Sequence, residues 1–322
     1  MLVRSGTTLS TLASTLASTL ATATTALLLA LGSAGCIKQA LVDGQIEATR
    51  KGAAAIDTLG DYEVAESIAF NGLGQFEGMH YLAPDNEDAL FMLVKNWGAA
   101  TYGFIEDRME QAEDAKGMES ELYLYQQARA RAGYERAIHY GIELLERRHP
   151  GFEAARKNDD TIRAWLKNFD DKEADVEPLF WTAYAWLSKT NVAKDDPALV
   201  GELFIGAAMM ERAVALDEMY MYGSGHVALG AYHARNAMAE LDEAKKHFDR
   251  AMEINGGKHL LTKLNYAIKY HCMKADKQSY EQVLQEVIAA GDILPEQRLQ
   301  NTIAKRRAKR FLGEERLEAC GF

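Results

Sequence analysis

The run Pro178-Leu-Phe-Trp-Thr-Ala-Tyr-Ala-Trp-Leu187 constrains this chain more than any other stretch. Wound as a helix, it puts Phe180, Trp181, Tyr184, Trp186 and Leu187 around the whole cylinder rather than on one stripe. A helix that is apolar on every side has to be covered on every side. Pro178 suits a first turn, where its missing N–H costs nothing. After a polar connection, Thr190–Pro197, the residues Leu203, Ala207, Met210 and Val214 recur at the spacing of one helical face. The middle of the chain therefore reads as an antiparallel helix pair, with tryptophans placed to meet either a core or a pocket. Asp196 before Pro197 reads as a helix cap and dipole partner rather than a catalytic acid.

The rest of the chain supports the same class. There is no alternation of strands and helices and almost no run of β-branched residues, and 322 residues contain only 5 prolines. Tyr134, Ile138, Gly141 and Leu145 form a stripe that His149-Pro150-Gly151 stops. Asn255-Gly256-Gly257 ends the helix Ala244–Ile254 in the same manner. Asn158–Val176 is acidic and reads as a loop interrupted by Trp165 and Leu166. A last helix, about Gln297–Leu312, is apolar through Leu299, Ile303, Ala308 and Phe311. Its other face carries Lys305, Arg306, Arg307, Lys309 and Arg310, and is read as solvated, ahead of a contact with lipid headgroups or an acidic partner.

A pattern of small residue, large apolar residue and small or apolar residue recurs as Gly72–Phe76–Met79, Ala130–Tyr134–Ala137, Gly206–Met210–Ala213 and Ala244–Phe248–Ala251. This is the second-helix signature of tetratricopeptide repeats, where the small residue lets the partner helix approach. The first-helix fragments, Trp97-Gly98…Tyr102 and Leu229-Gly230…Tyr232, are eroded and the spacing is irregular. The expected fold is all-α: a helical-hairpin solenoid of degenerate tetratricopeptide-like repeats, one domain over 61–322.

Residues 1–35 read as a signal peptide rather than fold. Arg4 precedes a Ser/Thr/Ala/Leu segment, a short apolar core, and Ser33-Ala34-Gly35-Cys36. The last four resemble a bacterial lipobox, although Ser33 stands where Leu, Val or Ile is usual. Cys36 is the expected lipidation site and 36–60 the N-terminal helical segment. Ile37 and Lys38 give no inner-membrane retention signal. The expected address is periplasmic, anchored to the inner leaflet of the outer membrane. Cys272 and Cys320 either pair or remain separate thiols, and separate thiols is the favoured reading.

The net charge of −11 argues against nucleic-acid binding, which needs a basic surface. No nucleophile elbow, HExxH, phosphate-cradling loop or paired cysteine motif is present, so no catalytic set, no cofactor and no enzyme is expected. His139 and Glu143 lie one helical turn apart without a third ligand. His226 and His233 are two turns apart, roughly 10 Å along a helix, so no metal site is expected. Two aromatic groups, Trp97, Tyr102 and Phe104, and Trp181, Tyr184 and Trp186, are candidates for a ligand cavity or interface, with ordinary core packing as the alternative.

The stretches Leu145-Glu-Arg-Arg-His-Pro-Gly-Phe152, Leu179-Phe-Trp-Thr-Ala-Tyr-Ala-Trp186, Lys194-Asp-Asp-Pro-Ala-Leu-Val200, Met210-Glu-Arg-Ala-Val-Ala-Leu-Asp217, His226…Leu229-Gly-Ala-Tyr232, Ala244-Lys-Lys-His-Phe-Asp-Arg-Ala251 and Arg298-Leu…Ala304-Lys-Arg-Arg-Ala308 occur in order. Together they resemble the TRAP transporter T-component (TatT) lipoproteins. The connection after Tyr232 is shorter than is usual there and lacks a glycine-rich insert. The resemblance implies an accessory protein that associates with the transporter's periplasmic solute-binding protein. It also implies a homotrimer whose internal cavities pass an apolar or organic-acid ligand. The competing expectation is a repeat scaffold in outer-membrane or envelope assembly with no transport role.

Overall fold

The computed structural model describes residues 39–235 and 239–322. The expected signal segment and Cys36 lie outside the described residues, as does the middle of the connection that follows Tyr232. Residues 39–53 are helical (α1). The chain divides into a short N-terminal unit, Met1–Thr49, and a main body, Arg50–Phe322. In the N-terminal unit Gln39 donates to Asp43 one turn on, at 3.2 Å.

Among the described residues the main body contains helices and no strand. A 3₁₀ turn, Ala54–Thr58, leads into α2 (Tyr62–Leu82), α3 (Glu87–Ala100), a π-helical turn (Thr101–Ile105), α4 (Glu106–Lys116) and α5 (Glu121–Arg148). Then come short α6 (Phe152–Ala155), α7 (Asp159–Leu166), α8 (Lys172–Val192), short α9 (Pro197–Gly201) and α10 (Leu203–Leu216). After the 3₁₀ turn Tyr220–Gly223 follow α11 (Ser224–His233), α12 (Leu241–Asn255) and α13 (Leu260–Asn265). A second π-helical turn (Tyr266–His271), α14 (Lys277–Ala289), the turn Pro295–Gln297, α15 (Arg298–Phe311) and α16 (Glu314–Ala319) complete the body.

Local chemistry sets most of the boundaries. Short polar side chains satisfy the free N–H groups at helix starts: Asp61 accepts from Val64 N at 3.0 Å, Asn86 from Ala89 N at 2.9 Å and Asp276 from Ser279 N at 3.1 Å. Asp196 caps α9 before Pro197, accepting from Ala198 N at 3.1 Å. α5 ends at His149 with Gly151 in a positive-φ conformation, and α12 ends on left-handed Gly256.

The structure corrects two sequence expectations in this region. The acidic stretch Asn158–Val176 is not a loop. Asn158 and Thr161 form a reciprocal cap that starts α7, whose Ile162, Trp165 and Leu166 are buried. α8 then begins at Lys172, because the Asp171 carboxylate accepts from Glu173 N at 2.9 Å and Ala174 N at 3.2 Å. Pro178 consequently sits inside α8 rather than in its first turn. Its missing donor costs about 3 kcal/mol in an ordinary helix interior. Here Leu179, Phe180, Trp181, Ala183, Ala185 and Trp186 are all buried around it, and that burial outweighs the lost hydrogen bond.

Packing runs helix to helix along the chain: α2 on α3, α3 on α5, α5 on α8, α8 on α10, α10 on α11, and α11 on α12. The recurring sequence triplets fall on α2, α5, α10 and α12, with Phe76, Tyr134, Met210 and Phe248 fully or almost fully buried. Small residues set the closest approaches. A Cβ added to Gly141 would lie 2.3 Å from Thr182 Oγ1, and one at Gly133 2.2 Å from Thr101 Oγ1. α5 therefore sits hard against both α8 and the first π turn.

The last helices do not simply continue this order. α15 packs on α13 and α14 and also returns to α2 and the turn Ala54–Thr58 at the start of the body. The three arginines of its basic face, expected to be solvated, are instead clasped onto α4. Arg306 Nε donates to Asp107 at 2.8 Å, and Arg307 Nε and Arg310 Nη1 reach Glu110 Oε2 at 3.1 and 2.6 Å. Arg310 also pairs with Asp107. Arg316 of α16 extends the clasp, reaching Asp114 at 2.6 Å and Glu113 at 2.9 Å. Arg307 is only 4% exposed. The acids of α4 and the arginines of α15 are partners, which is why they are drawn in; Lys305, which bonds Gly291 O at 3.2 Å, and the exposed Lys309 stay on the solvent side. Cys272 and Cys320, for which separate thiols is the favoured reading of the sequence, form a disulfide with Cα atoms 5.1 Å apart, tying α16 to the end of the second π turn.

Candidate functional site

These contacts surround a cavity of about 1250 Å³ lined from α3, both π turns, α4, α8, α11 and α15. The π turns matter for its chemistry. Each carries one residue more per turn than α-helix, which rotates the following side chains by about 100° relative to the α register. Tyr102 and Phe104 come to the cavity from the first turn, Ile268 and Lys269 from the second. The two turns are neighbours across the space. Asn265 lies within hydrogen-bonding reach of the Tyr102 hydroxyl, and Glu106 acts electrostatically on Lys269.

One wall is aromatic and continuous. Trp181 meets Tyr184 edge-on at 5.6 Å, Tyr184 meets Tyr102 at 6.0 Å, and the Arg307 guanidinium lies 4.4 Å over the Tyr102 ring. At the other end the Lys95 ammonium stands 5.8 Å from the Trp181 ring. Trp181 is fixed by its indole N–H, which donates to Tyr220 Oη at 3.1 Å, and Tyr220 donates in turn to Glu177 at 3.3 Å. Phe180 stacks on Tyr184 at 6.4 Å and completes the wall. Burial pushes the Tyr102 and Tyr184 hydroxyls up, so both remain neutral hydrogen-bonding groups.

The structure separates the six aromatic candidates. Tyr102, Phe104, Trp181 and Tyr184 line the cavity, and Trp97 and Trp186 do not. Trp97 donates to Glu77 Oε1 at 2.9 Å and packs with the core around Tyr134. Trp186 donates to Glu202 O at 3.2 Å and meets Phe152 edge-on at 6.0 Å. Both indole N–H groups are thus satisfied within the packing.

The charged groups of the site were missed by sequence reasoning. Glu106 and Glu110 are buried on the cavity side of α4, with Arg307 between them. Burial raises the Glu106 carboxyl, against the pull of Arg307 and of the Tyr134 hydroxyl that donates to it. Glu110 feels the same burial but accepts from both Arg307 and Arg310, which hold its carboxyl below the usual range. The Arg307 guanidinium stays charged because these carboxylates outweigh its desolvation. Its Nη1 is buried without a hydrogen-bond partner. Lys269 is different in kind. Its Nζ donates to Asn191 Oδ1 at 3.1 Å, and among the described residues no carboxylate oxygen lies within the 4.0 Å of an ion pair. Burial lowers its pKa, with Glu106 opposing from a distance. The available signal was the matching i, i+4 period of Glu106/Glu110 and the arginine run of α15; nothing in the sequence marks Lys269.

His259 also lines the cavity, 2% exposed, with neither ring nitrogen hydrogen-bonded and its ring stacked 5.8 Å from Tyr222. Burial holds its pKa down at about 4. The folded state therefore binds this proton less readily than the unfolded chain, whose histidine titrates near 6.5. Stability is unaffected above that value and falls as pH drops from about 6.5 towards 4. Between pH 8 and pH 5 this one group is expected to remove about 2 kcal/mol of unfolding free energy. Urea unfolding of wild type and His259→Leu at the two pH values checks this, and the variant should lose that much less on acidification. His226 and His233, two turns apart on α11, are linked by His247 of α12: His226 Nδ1 lies 2.9 Å from His247 Nδ1, and the His233 ring stacks on it at 5.5 Å.

No described helix is long and apolar enough to cross a membrane. A family model described as "TRAP transporter T-component" matches residues 60–317, and none of the curated proteins searched matches the chain.

Proposed function

Since the chain belongs to the TRAP transporter T-component family, whose members are periplasmic accessory components and not known enzymes, we propose that it serves the solute-binding subunit of such a transporter. In this reading the helical hairpins form a degenerate tetratricopeptide-like solenoid. It is held at the inner leaflet of the outer membrane through acylated Cys36 and assembled as a homotrimer. The cavity passes a small organic or apolar ligand to or from the solute-binding protein, along the wall of Tyr102, Phe104, Trp181 and Tyr184. The single observation that carries the reading is a cavity of about 1250 Å³, mostly aromatic and aliphatic, at the centre of a chain from a transport family. A scaffold needs a surface and has no use for such a space.

The test is capture from a periplasmic extract on the immobilised soluble form, Ile37 onward, with the bound proteins identified. Recovery of a TRAP-type solute-binding protein, lost on competition with free soluble form, is the expected result. Recovery of outer-membrane or envelope assembly factors alone would remove the transport reading and favour the scaffold.

A further inference from the structure

Lys269 is a cavity cation that the fold leaves without a carboxylate. The arginines beside it are committed, Arg307 to Glu106 and Glu110 and Arg310 to Asp107 and Glu110. Of the other lysines on the cavity, Lys95 stands against the Trp181 ring at the far end of the wall and Lys194 is exposed. Glu106, the acid that acts on it most strongly, is already occupied by Tyr134 and Arg307. An ammonium has three donors, and Lys269 gives one, to the neutral Asn191 amide. A half-buried ammonium with donors to spare and no carboxylate beside it gains from an anion that supplies the missing charge-assisted bonds. The Tyr102 and Tyr184 rings, Ile268 and, further along the wall, Trp181 line the same cavity. The second π turn is what carries Lys269 into this space, and a register break of that kind is characteristic of functional positions.

The size of the space narrows the ligand. At about 1250 Å³ it exceeds the roughly 300–1,000 Å³ of a usual small-molecule pocket, and a short polar acid would leave most of it open. We propose that the cavity takes an amphipathic monoanion, a single carboxylate on a long apolar body. Lys269 and Asn191 hold the carboxylate and the Tyr102–Tyr184–Trp181 wall lies along the body. This rests on the ligand-passing reading above and names the ligand class for it. Lys269 then determines specificity: it selects the acid over an uncharged compound of the same length.

Trp181 offers a direct reading, because a bromine atom in contact quenches indole fluorescence. The experiment titrates the soluble protein with 12-bromododecanoic acid and with 12-bromododecan-1-ol, both below their micellar concentrations. Trp181→Phe identifies the part of the quenching that comes from the cavity. In wild type the acid is expected to half-saturate that quenching at least tenfold below the alcohol. Lys269→Met should bring the two within about threefold by weakening the acid alone. Lys269→Arg should keep the preference, and unchanged alcohol binding by Lys269→Met shows that the variant is folded with its cavity intact. Equal binding of acid and alcohol by wild type, or a preference that survives Lys269→Met, overturns the assignment while leaving an apolar ligand cavity standing. If neither compound quenches Trp181, the cavity takes no such body and the ligand-passing reading falls with it. Association with a solute-binding protein is read separately, by the capture experiment.

Discussion

Replacing Arg307 with methionine is expected to cost about 3–5 kcal/mol of unfolding free energy, the range for stripping one partner from a buried ion pair. The guanidinium is 4% exposed and bonds the carboxylates of both Glu106 and Glu110. Methionine fills much of the same volume, so the loss comes mainly from electrostatics. Glu110 keeps Arg310, at 2.6 Å, but Glu106 is left with only the Tyr134 hydroxyl and must take up a proton or remain a buried unpaired charge. Urea unfolding at neutral pH reads the cost. A second variant separates charge from shape. Arg307→Met combined with Glu106→Gln removes the stranded charge together with its partner, and is expected to be milder than Arg307→Met alone. If the double variant were as unstable as the sum of its parts, the clasp would be acting through packing rather than through paired charge.

Breaking the Cys272–Cys320 disulfide carries the next largest effect. The bridge closes a loop with a sequence separation of 48 residues. Chain-entropy arguments put its stabilisation at about 4 kcal/mol for a loop of that length. Replacing both cysteines with alanine should therefore lower the urea midpoint substantially. The structure adds where the damage begins. α16 is a short helix with no buried residue, held by Arg316 to α4 and by Cys320 to the cavity side of Cys272. Without the bridge, amide exchange should rise first in Gly313–Phe322, while α3, α5 and α8 keep their protection. Uniform loss of protection would mean that the bridge stabilises the whole body at once.

How far the sequence could be read depended on where the deciding interaction lay. Features set within one turn were legible. Asp196-Pro197 capped a helix as expected, and the glycines after His149 and Asn255 ended helices as expected. The triplets Ala130–Tyr134–Ala137 and Ala244–Phe248–Ala251 proved to be fully buried contact sites. Asp171 was the local signal passed over: read as part of an acidic loop, it caps α8 and draws the helix six residues ahead of Pro178.

The site depended on interactions that no window of sequence contains. Acids of α4 and bases of α15 stand about 200 residues apart, and each run alone has the pattern of a solvated face. The π turns erase the periodicity by which a buried stripe is recognised. Phe104, Ile105, Glu106 and Asp107 are consecutive in sequence and all buried. The tryptophans show the remaining difficulty. Trp181 and Trp186 lie on one helix, yet one faces the cavity and the other the Phe152 packing. Composition cannot tell a wall from a core when both are aromatic.

The return of α15 to α2 has a bearing on how the molecule comes into being. Sections made early in synthesis, α2 to α5, contribute only part of the cavity wall. Arg307 and Cys320, which also line it, emerge well after them. Long-range pairings of this sort are slow to form and leave early segments waiting for their partners. A chain cut short before α15 would carry Glu106 and Glu110 without the arginines that pair with them. An enclosed cavity thus becomes a property of the finished molecule alone.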